Sequence, residues 1–313
     1  MMKKKTENKK TSLSDGMILK VQKGSYEVEL PGDITVTCRC GSRLRKNGIM
    51  PLAGDVVSLE VNPDGTGFIT ALKERKNKLV RPAVANIDLL AIVVASADPS
   101  PLYYNIDKLT AAAVYEDIDV CIIISKTDLT YGEEEKIRKI YEGAGFLCFS
   151  VSTFSGEGTD ELREFLKNRK TVFSGASGVG KSSLLNLLYP EIKAVEGELS
   201  QKIMRGKNTT RHTELYKVGE NTYIADTPGF SKLYIEKDIP YLQKTNSDSF
   251  CLEISKDKLI FAFPEMAKYA CECRYRDCTH TKEEGCAVLK RVEEGIIPLS
   301  RHQSYLKIYE EIK

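Results

Sequence analysis

The sequence of 313 residues predicts a multidomain protein with an N-terminal all-β barrel, a central α/β domain and a mainly helical C-terminal module. Three observations predict this order. Short runs rich in β-branched and aromatic residues, separated by Gly, Pro and Asp, fill the first quarter of the chain. Nearly continuous apolar runs then alternate with amphipathic helical patterns. Finally, four of the nine cysteines lie between positions 271 and 286, close to a histidine.

The composition allows two or three domains with cores of their own, since 42% of the residues are hydrophobic and 29% are charged. No run of about 18 apolar residues occurs, which argues against a transmembrane helix. The basic start, MMKKKTENKK, is followed by polar residues and not by the apolar core of a secretory signal. We therefore expect a cytoplasmic protein with no membrane partner. In that reducing compartment, clustered cysteines favour metal binding over disulfides.

The N-terminal part is predicted to hold a disordered basic tail, residues 1–14, and an RNA-binding OB-fold domain, residues 15–74. The tail is polar and lysine-rich, whereas the domain carries five strand patterns separated by turns. These patterns cover residues 17–22, 25–30, 34–40, 55–61 and 67–72. A basic set within the domain is as typical of a solvated face as of an RNA surface: Arg39, Arg43, Arg45 and Lys46.

The central domain is predicted to span residues 75–232, beginning in a basic linker at 73–86. Short apolar runs that suit strands buried on both faces occur at 87–94, 119–124, 146–151, 171–174 and 222–225. Amphipathic helical patterns lie between them at 105–116, 132–143 and 157–167. This alternation predicts a doubly wound, mostly parallel sheet.

A phosphate-binding loop follows the apolar run at 171–174. Residues 175–182, GASGVGKS, fit G-x-x-x-x-G-K-[ST] at every fixed position, and a helical pattern covers 181–189. The glycines let backbone N–H groups converge on a triphosphate, Lys181 places a charge on its outer phosphates, and the Ser182 hydroxyl can ligate Mg²⁺. A glycine-rich turn that occurs by chance is the alternative. The predicted phosphate-binding residues are Gly175, Ala176, Ser177, Gly178, Val179, Gly180, Lys181, Ser182 and Ser183.

Two segments before this loop are similar to guanine-reading motifs. Residues 125–128, SKTD, follow the run at 119–124 and are close to N-K-x-D, in which the aspartate accepts from two ring donors that adenine lacks. Ser152 and Thr153 stand where G-proteins use a backbone contact to the guanine carbonyl oxygen. Each match alone is weak, because K-x-D follows strands by chance. The predicted base-binding residues are Ser125, Lys126, Thr127, Asp128 and Ser152.

Two segments after the loop resemble nucleotide switches. Asp226 and Gly229 form D-x-x-G, which puts a carboxylate behind Mg²⁺ and a glycine N–H at the γ-phosphate. In the polar loop 206–212, Thr209 or Thr210 offers a hydroxyl to Mg²⁺. The predicted magnesium ligands are Ser182, Thr210 and Asp226, and the predicted catalytic residues are His212, Lys181 and Thr210.

The motifs run in the order base, base, phosphate, switch, switch, which is a circular permutation of an ordinary G domain. In this order the chain resembles the ribosome small-subunit-dependent GTPase A family from about residue 17 onward. The resemblance implies a GTPase that converts GTP to GDP, acts late in maturation of the 30S ribosomal subunit, binds 16S rRNA and is stimulated by the subunit. We expect a monomer.

The C-terminal module, predicted at residues 233–313, carries a candidate zinc site. Cys273, Cys278, His280 and Cys286 form C-x4-C-x-H-x5-C, three thiolates and one imidazole that suit a closed tetrahedral Zn²⁺. The spacing matches the zinc motif of the family, and on that resemblance Cys271 is left out. Free buried cysteines are the alternative. We expect one structural zinc per chain, because so small a module needs such a crosslink. Helical patterns follow at 287–295 and 300–312.

Three residues depart from the family pattern. Ser125 replaces the usual asparagine, which predicts the loss of a brace between base and phosphate loop, and weaker nucleotide affinity. Asn208 stands where a histidine is common, so the orientation of the attacking water is assigned to His212. Phe230 replaces the water-orienting glutamine of Ras-like proteins, which predicts slow intrinsic hydrolysis. The segment 240–258 is also longer than usual for the family.

Two other classes of function stay open at this point. A protein that uses GTP only as a conformational switch would carry the same motifs. An ATP-dependent kinase would share only the phosphate loop, and Asp128 disfavours it.

Overall fold

The computed structural model describes residues 12–22, 24–41, 50–79, 82–129, 133–192, 214–226, 234–235, 251–252 and 254–312. These fall into two compact units. One contains the barrel and a short segment that ends at Tyr216, and the other contains the sheet and the C-terminal helices. Residues 1–11 of the predicted tail lie outside the described residues.

The first unit is built on a closed barrel of five strands in the order β1-β2-β3-β5-β4, which confirms the predicted all-β barrel. The strands are β1 (Ser12–Gln22), β2 (Ser25–Leu30), β3 (Ile34–Cys40), β4 (Val56–Val61) and β5 (Gly67–Leu72). Side chains alternate between core and solvent along the strands, as a half-buried sheet requires. The core is formed by Ile18, Tyr26, Val28, Val36, Cys38, Cys40, Val57, Leu59 and Ile69. Cys38 and Cys40 are thus ordinary core residues of the barrel.

The first strand begins earlier than its sequence pattern predicts. Ser12, Leu13 and Ser14 pair with β4, so three residues assigned to the tail belong to the barrel. The local sequence does not predict this part of the strand, because these residues adopt the strand conformation by pairing with β4 and not by local propensity. A distant segment also joins this unit: Leu215 N–H donates to Leu19 O at 2.8 Å, and Lys20 forms an ion pair of 2.6 Å with Glu214.

The second unit is built on a six-stranded sheet in the order β10-β9-β8-β11-β13-β12. Its strands are β8 (Leu89–Ala95), β9 (Asp119–Ser125), β10 (Leu147–Ser150), β11 (Lys170–Gly175), β12 (Tyr216–Gly219) and β13 (Thr222–Asp226). Strands β8, β9, β10, β11 and β13 are parallel, which confirms the predicted α/β architecture. Every residue of β8 is buried, because helices cover both faces of such a sheet. The sequence patterns did not predict β12.

Four helices accompany this sheet: α1 (Tyr103–Tyr115), α2 (Glu133–Gly143), α3 (Thr159–Leu166) and α4 (Lys181–Leu188). Their bounds agree with the predicted patterns to within two residues. Two short strands, β6 (Lys78–Leu79) and β7 (Val84–Ala85), precede β8 in the chain.

The C-terminal part is mainly helical, as predicted. It contains α5 (Pro264–Ala270), α6 (Ala287–Glu293) and α7 (Leu299–Glu311), and a 3-10 turn at Leu259–Ala262 precedes them. Before this turn, β14 (Tyr234–Ile235) pairs in parallel with β15 (Cys251–Leu252). Most of the long 240–258 segment lies outside the described residues.

Candidate nucleotide and metal sites

The phosphate loop connects β11 to α4, as its sequence predicts. Gly178 and Gly180 have φ angles of 83° and 88°, a left-handed conformation that suits glycine. A side chain on Gly175 would place its Cβ 2.6 Å from Val93 O, so the strand end admits only glycine. Lys181 is buried at the first residue of α4, while Ser177, Gly178, Ser182 and Ser183 are exposed. The loop therefore presents open backbone and hydroxyl groups at the N-terminus of a helix, where an anion is favoured.

The predicted base-reading segments lie at the same edge of the sheet. Ser125 ends β9, residues 126–128 follow that strand and residue 152 follows β10, and both strands lie on the side of β8 away from β11. The chain therefore reverses direction across the sheet between β8 and β11, where open α/β sheets bind ligands beyond the carboxyl ends of their strands. The base and phosphate segments are brought together across this point.

Asp128 is oriented by Ser152. The buried Ser152 hydroxyl donates to Asp128 Oδ1 at 2.7 Å and accepts from the N–H groups of Phe154 at 3.2 Å and Ser155 at 3.1 Å. One hydroxyl has one hydrogen and two lone pairs, so its capacity is fully used and the hydrogen must point at the carboxylate. Asp128 itself is exposed, which leaves Oδ2 available to accept from a ligand.

Ser125 corrects the expectation that the brace between the base segment and the phosphate loop is lost. Its hydroxyl lies 2.6 Å from Val179 O of the phosphate loop, and it is 1% exposed. The brace that an asparagine would supply is therefore present, made by a shorter side chain. No local sequence pattern predicts this contact, because it joins residues 54 positions apart in the chain.

Lys126 and Thr127 complete the base segment. Lys126 has a left-handed φ of 60°, and its Nζ donates to Asp98 O at 2.5 Å. Its carbonyl accepts from the Ser96 hydroxyl at 2.8 Å, and Thr127 N–H reaches Val151 O at 3.4 Å. Ser96 and Asp98 were missed by sequence reasoning. Their signal is positional, since both follow the central strand β8 at its carboxyl end.

The switch residues are described only in part. Asp226 ends β13 and is the register partner of Phe173 on β11, at the same edge as the phosphate loop. Asn208, Thr209, Thr210, His212, Gly229 and Phe230 lie outside the described residues. The predictions for these six residues stay predictions.

The predicted metal ligands converge in the C-terminal part. The ligand atoms of Cys273, Cys278, His280 and Cys286 all lie within 4.8 Å of one another. His280 Nδ1 lies 3.5 Å from Cys273 Sγ and 3.6 Å from Cys286 Sγ, and the two sulfurs are 3.9 Å apart. Zn–S bonds of about 2.3 Å in a tetrahedron put sulfurs about 3.8 Å apart, so the cluster fits a zinc ion. Cys271 is exposed and lies outside the cluster.

The surroundings of the cluster suit thiolate ligands. Ala287 N–H donates to Cys273 Sγ at 3.4 Å and Leu289 N–H donates to Cys286 Sγ at 3.5 Å. Burial has the opposite effect on Cys278, because it raises the pKa of this thiol to about 12 and so favours the protonated form until a metal ion takes the place of the proton. Burial also lowers the pKa of His280, which favours the neutral imidazole that binds metal.

Glu283 holds the loop that carries His280, and sequence reasoning missed it. Its carboxylate accepts from Thr281 N–H at 3.0 Å, Lys282 N–H at 3.1 Å and Thr279 N–H at 2.9 Å, and from the Thr279 hydroxyl. Tyr305 and His302 of α7 bind the same loop through its carbonyl oxygens, each at 2.9 Å. A carboxylate between two predicted ligands was the available signal.

The barrel carries one candidate nucleic-acid face. Arg39 and Phe68 are register partners on β3 and β5, and both side chains are exposed, Phe68 by 43%. A shallow groove of about 770 Å³ runs beside them. Arg43, Arg45 and Lys46 lie outside the described residues. Part of the basic linker is engaged within the barrel unit, since Arg75 makes a bidentate pair with Asp55 at 2.7 and 2.8 Å.

A phosphate loop after β11, predicted base-reading residues that precede it in the chain and a sheet that brings them together are the features of a circularly permuted GTPase. Residues 72–236 match the family model for the RsgA GTPase and residues 15–69 match that for the RsgA N-terminal domain. The chain belongs to the RsgA GTPase family and is a GTPase.

Three comparisons illustrate this membership. The chain is 37% identical to "Small ribosomal subunit biogenesis GTPase RsgA" of Agathobacter rectalis, covering 90% of this chain and 89% of the relative. It is similar to the crystal structure of YjeQ from Thermotoga maritima, with a TM-score of 0.76, 27% identity and coverage of 96% and 99% of the two chains. It is also similar to YloQ, described as a circularly permuted GTPase, with a TM-score of 0.73, 29% identity and coverage of 99% and 98%.

Among the helices of the described residues, none has the length and apolar character needed to cross a membrane.

Proposed function

We propose that this chain binds the 30S ribosomal subunit through 16S rRNA, assists late maturation of the small subunit, and hydrolyses GTP to GDP and phosphate with stimulation by the subunit. The observation that carries the guanine part is Asp128, oriented by Ser152 at the sheet edge that holds the phosphate loop. The ribosomal part is supported by the relatives, which are named for small ribosomal subunit biogenesis.

Each site residue has a role in this proposal. Lys181 neutralises charge on the outer phosphates, and Ser182, Thr210 and Asp226 hold Mg²⁺. The Gly229 N–H binds the γ-phosphate, and His212 orients the attacking water. Hydrolysis of this kind depends on positioning and on electrostatic stabilisation of the transferred phosphoryl group. The intrinsic rate is slow, because Phe230 cannot orient water.

Zinc has a structural role. Held by Cys273, Cys278, His280 and Cys286, it would fix the loops between α5 and α7 and contribute directly to the stability of that part. The exposed Arg274 and Arg276 beside the cluster suit contacts with RNA phosphates, as does Arg39 on the barrel. The protein acts as a cytoplasmic monomer.

The proposal is tested by measuring GTP turnover while purified 30S subunits are titrated in, with 50S subunits as the control. We expect a rate that rises with 30S and not with 50S, and that Ser182→Ala abolishes most of it. His212→Ala should lower the stimulated rate about a hundredfold with little change in GTP affinity. If the rate is independent of 30S, the protein acts instead as a GTP-dependent conformational switch. If ATP competes with GTP as well as GTP itself does, the protein is instead an ATP-dependent kinase.

A further inference from the structure

Phe154 has the highest exposure of any large apolar side chain that the structure describes, at 90%. It lies in the turn that follows β10, two residues after Ser152. Single exposed apolar residues are common on protein surfaces. This one differs because Ser152 of the same turn donates a hydrogen bond to Asp128, the predicted base-reading carboxylate.

The turn is fixed by its own hydrogen bonds. Ser152 N–H donates to Glu157 O at 3.1 Å, and Gly156 N–H donates to Ser152 O at 2.9 Å. Phe154 N–H donates to Ser152 Oγ, the same atom that donates to Asp128 Oδ1. The backbone of Phe154 is therefore two hydrogen bonds from the Asp128 carboxylate, and its position relative to that carboxylate is set by the fold.

The turn also presents a free donor. Among the hydrogen bonds of the described residues, none uses the backbone N–H of Thr153. Asp128 and Thr153 thus offer an acceptor and a donor for the edge of a guanine base, and the next residue in the chain, Phe154, carries an exposed aromatic ring. A base read at its edge by these groups still has two faces to shield from water, and an aromatic ring is a good partner for such a face.

We propose that the Phe154 ring stacks on the face of the guanine base whose edge is read by Asp128. This assignment rests on the proposed binding of GTP and adds a contact to it. Stacking contributes affinity and little selectivity among bases, because every base has a π-face. Selectivity stays with Asp128.

The chain contains no tryptophan, which allows a direct test. Phe154→Trp introduces a single indole, and binding of GDP should quench its emission because a stacked guanine is an efficient quencher. Phe261→Trp, at a site in the C-terminal part that is 66% exposed, is the matched control and should show no quenching.

Affinity is the second readout, measured by isothermal titration calorimetry on the full chain. We expect Phe154→Ala to weaken GTP and inosine triphosphate by the same factor, about tenfold, and Phe261→Ala to change neither. Phe154→Tyr should keep the wild-type affinity because it keeps the ring.

The outcomes separate the two proposals. If the wild type does not bind GTP, the proposed function fails. If the wild type binds GTP and Phe154→Ala binds it equally well, with no quenching in Phe154→Trp, the stacking assignment is wrong. A loss of 30S-stimulated turnover at unchanged GTP affinity would also overturn it and would show that Phe154 contacts the ribosomal partner.

Discussion

At the scale of single residues, Ser125 makes the hydrogen bond to the phosphate loop that a longer asparagine side chain is expected to make. Its hydroxyl and the Val179 carbonyl are buried and are 2.6 Å apart, so each satisfies the other. Removal of one partner from such a pair leaves the other without a hydrogen bond, at a cost of about 1–3 kcal/mol. The bond spans β8 and joins the base segment to the phosphate loop.

The first prediction is that Ser125→Ala lowers the affinity for GTP and GDP by about fivefold to tenfold, because the phosphate loop loses its brace. The measurement is calorimetric titration with both nucleotides. Ser174→Ala is the matched control, since the Ser174 hydroxyl is buried on β11 and has no partner among the described residues. Equal affinities for Ser125→Ala and wild type would mean that the loop is held by other contacts.

The second prediction concerns base selection. Asp128→Asn should shift the preference from GTP toward xanthosine triphosphate, because the amide now offers a donor where xanthine presents a carbonyl. Competition between the two nucleotides measures the shift. Asp160→Asn, which alters an exposed carboxylate on α3, should leave the preference unchanged. If Asp128→Asn still prefers GTP to the same degree, Asp128 does not read the base.

At the scale of an element, the loop at residues 279–283 positions the predicted metal ligand His280 through hydrogen bonds of its own. His280 has a left-handed φ of 58°, a costly conformation for a residue with a side chain. Glu283 compensates by accepting hydrogen bonds from Thr279, Thr281 and Lys282. Partial burial alone would raise the pKa of Glu283, but these hydrogen bonds have the larger effect and lower the pKa to about 2.

The third prediction is that Glu283→Gln weakens zinc binding by about tenfold, the lower end of the usual cost for residues that orient metal ligands. A glutamine amide has one acceptor oxygen and cannot accept on both sides of the loop. Chelator competition at neutral pH measures the loss, and Glu284→Gln, an exposed neighbour, is the control. Equal zinc retention in the two variants would contradict the role.

The same carboxylate gives a pH dependence with a definite sign. Its folded pKa is depressed to about 2 from an ordinary value of 4.5. Its contribution to stability is therefore fully present above pH 4.5 and is lost as the pH falls toward 2.

At the scale of the whole molecule, one buried ion network joins three helices of the larger unit. Arg301 on α7 lies 2.7 Å from Glu265 on α5 and 2.8 Å from Asp107 on α1, and all three are at most 1% exposed. Burial alone would lower the pKa of Arg301, but attraction by Asp107 and Glu265 has the larger effect and raises the pKa above its ordinary value. The network connects the C-terminal helices to the helix that follows β8.

The fourth prediction is that Arg301→Met lowers the free energy of unfolding by about 3–5 kcal/mol, because two buried carboxylates lose their only shared cation in the network. Urea unfolding of the zinc-loaded protein measures it. Lys290→Met removes a lysine whose side chain is 69% exposed in a weak pair with Glu294, and should change stability by less than about 0.5 kcal/mol. Equal stability of the two variants would mean that the network is compensated by packing.

Sequence patterns predict the parts of this protein that depend on neighbouring residues. The phosphate loop, the helices around it, the permuted order of motifs and the Cys/His spacing were all predictable, because each is a pattern within a few tens of residues. The helix bounds agree with the structure to within two residues for the same reason: hydrophobic periodicity is local.

Contacts between distant residues are visible only once the chain is folded. The start of β1 at Ser12 depends on pairing with β4, the brace of Ser125 depends on the strand order, and Arg301 meets Asp107 across 194 positions. Cys273 and Cys271 carry the same chemistry two residues apart, and only the folded loops bring one of them to the cluster. Such contacts depend on how whole helices and strands pack together, and a local pattern of residues does not encode that packing.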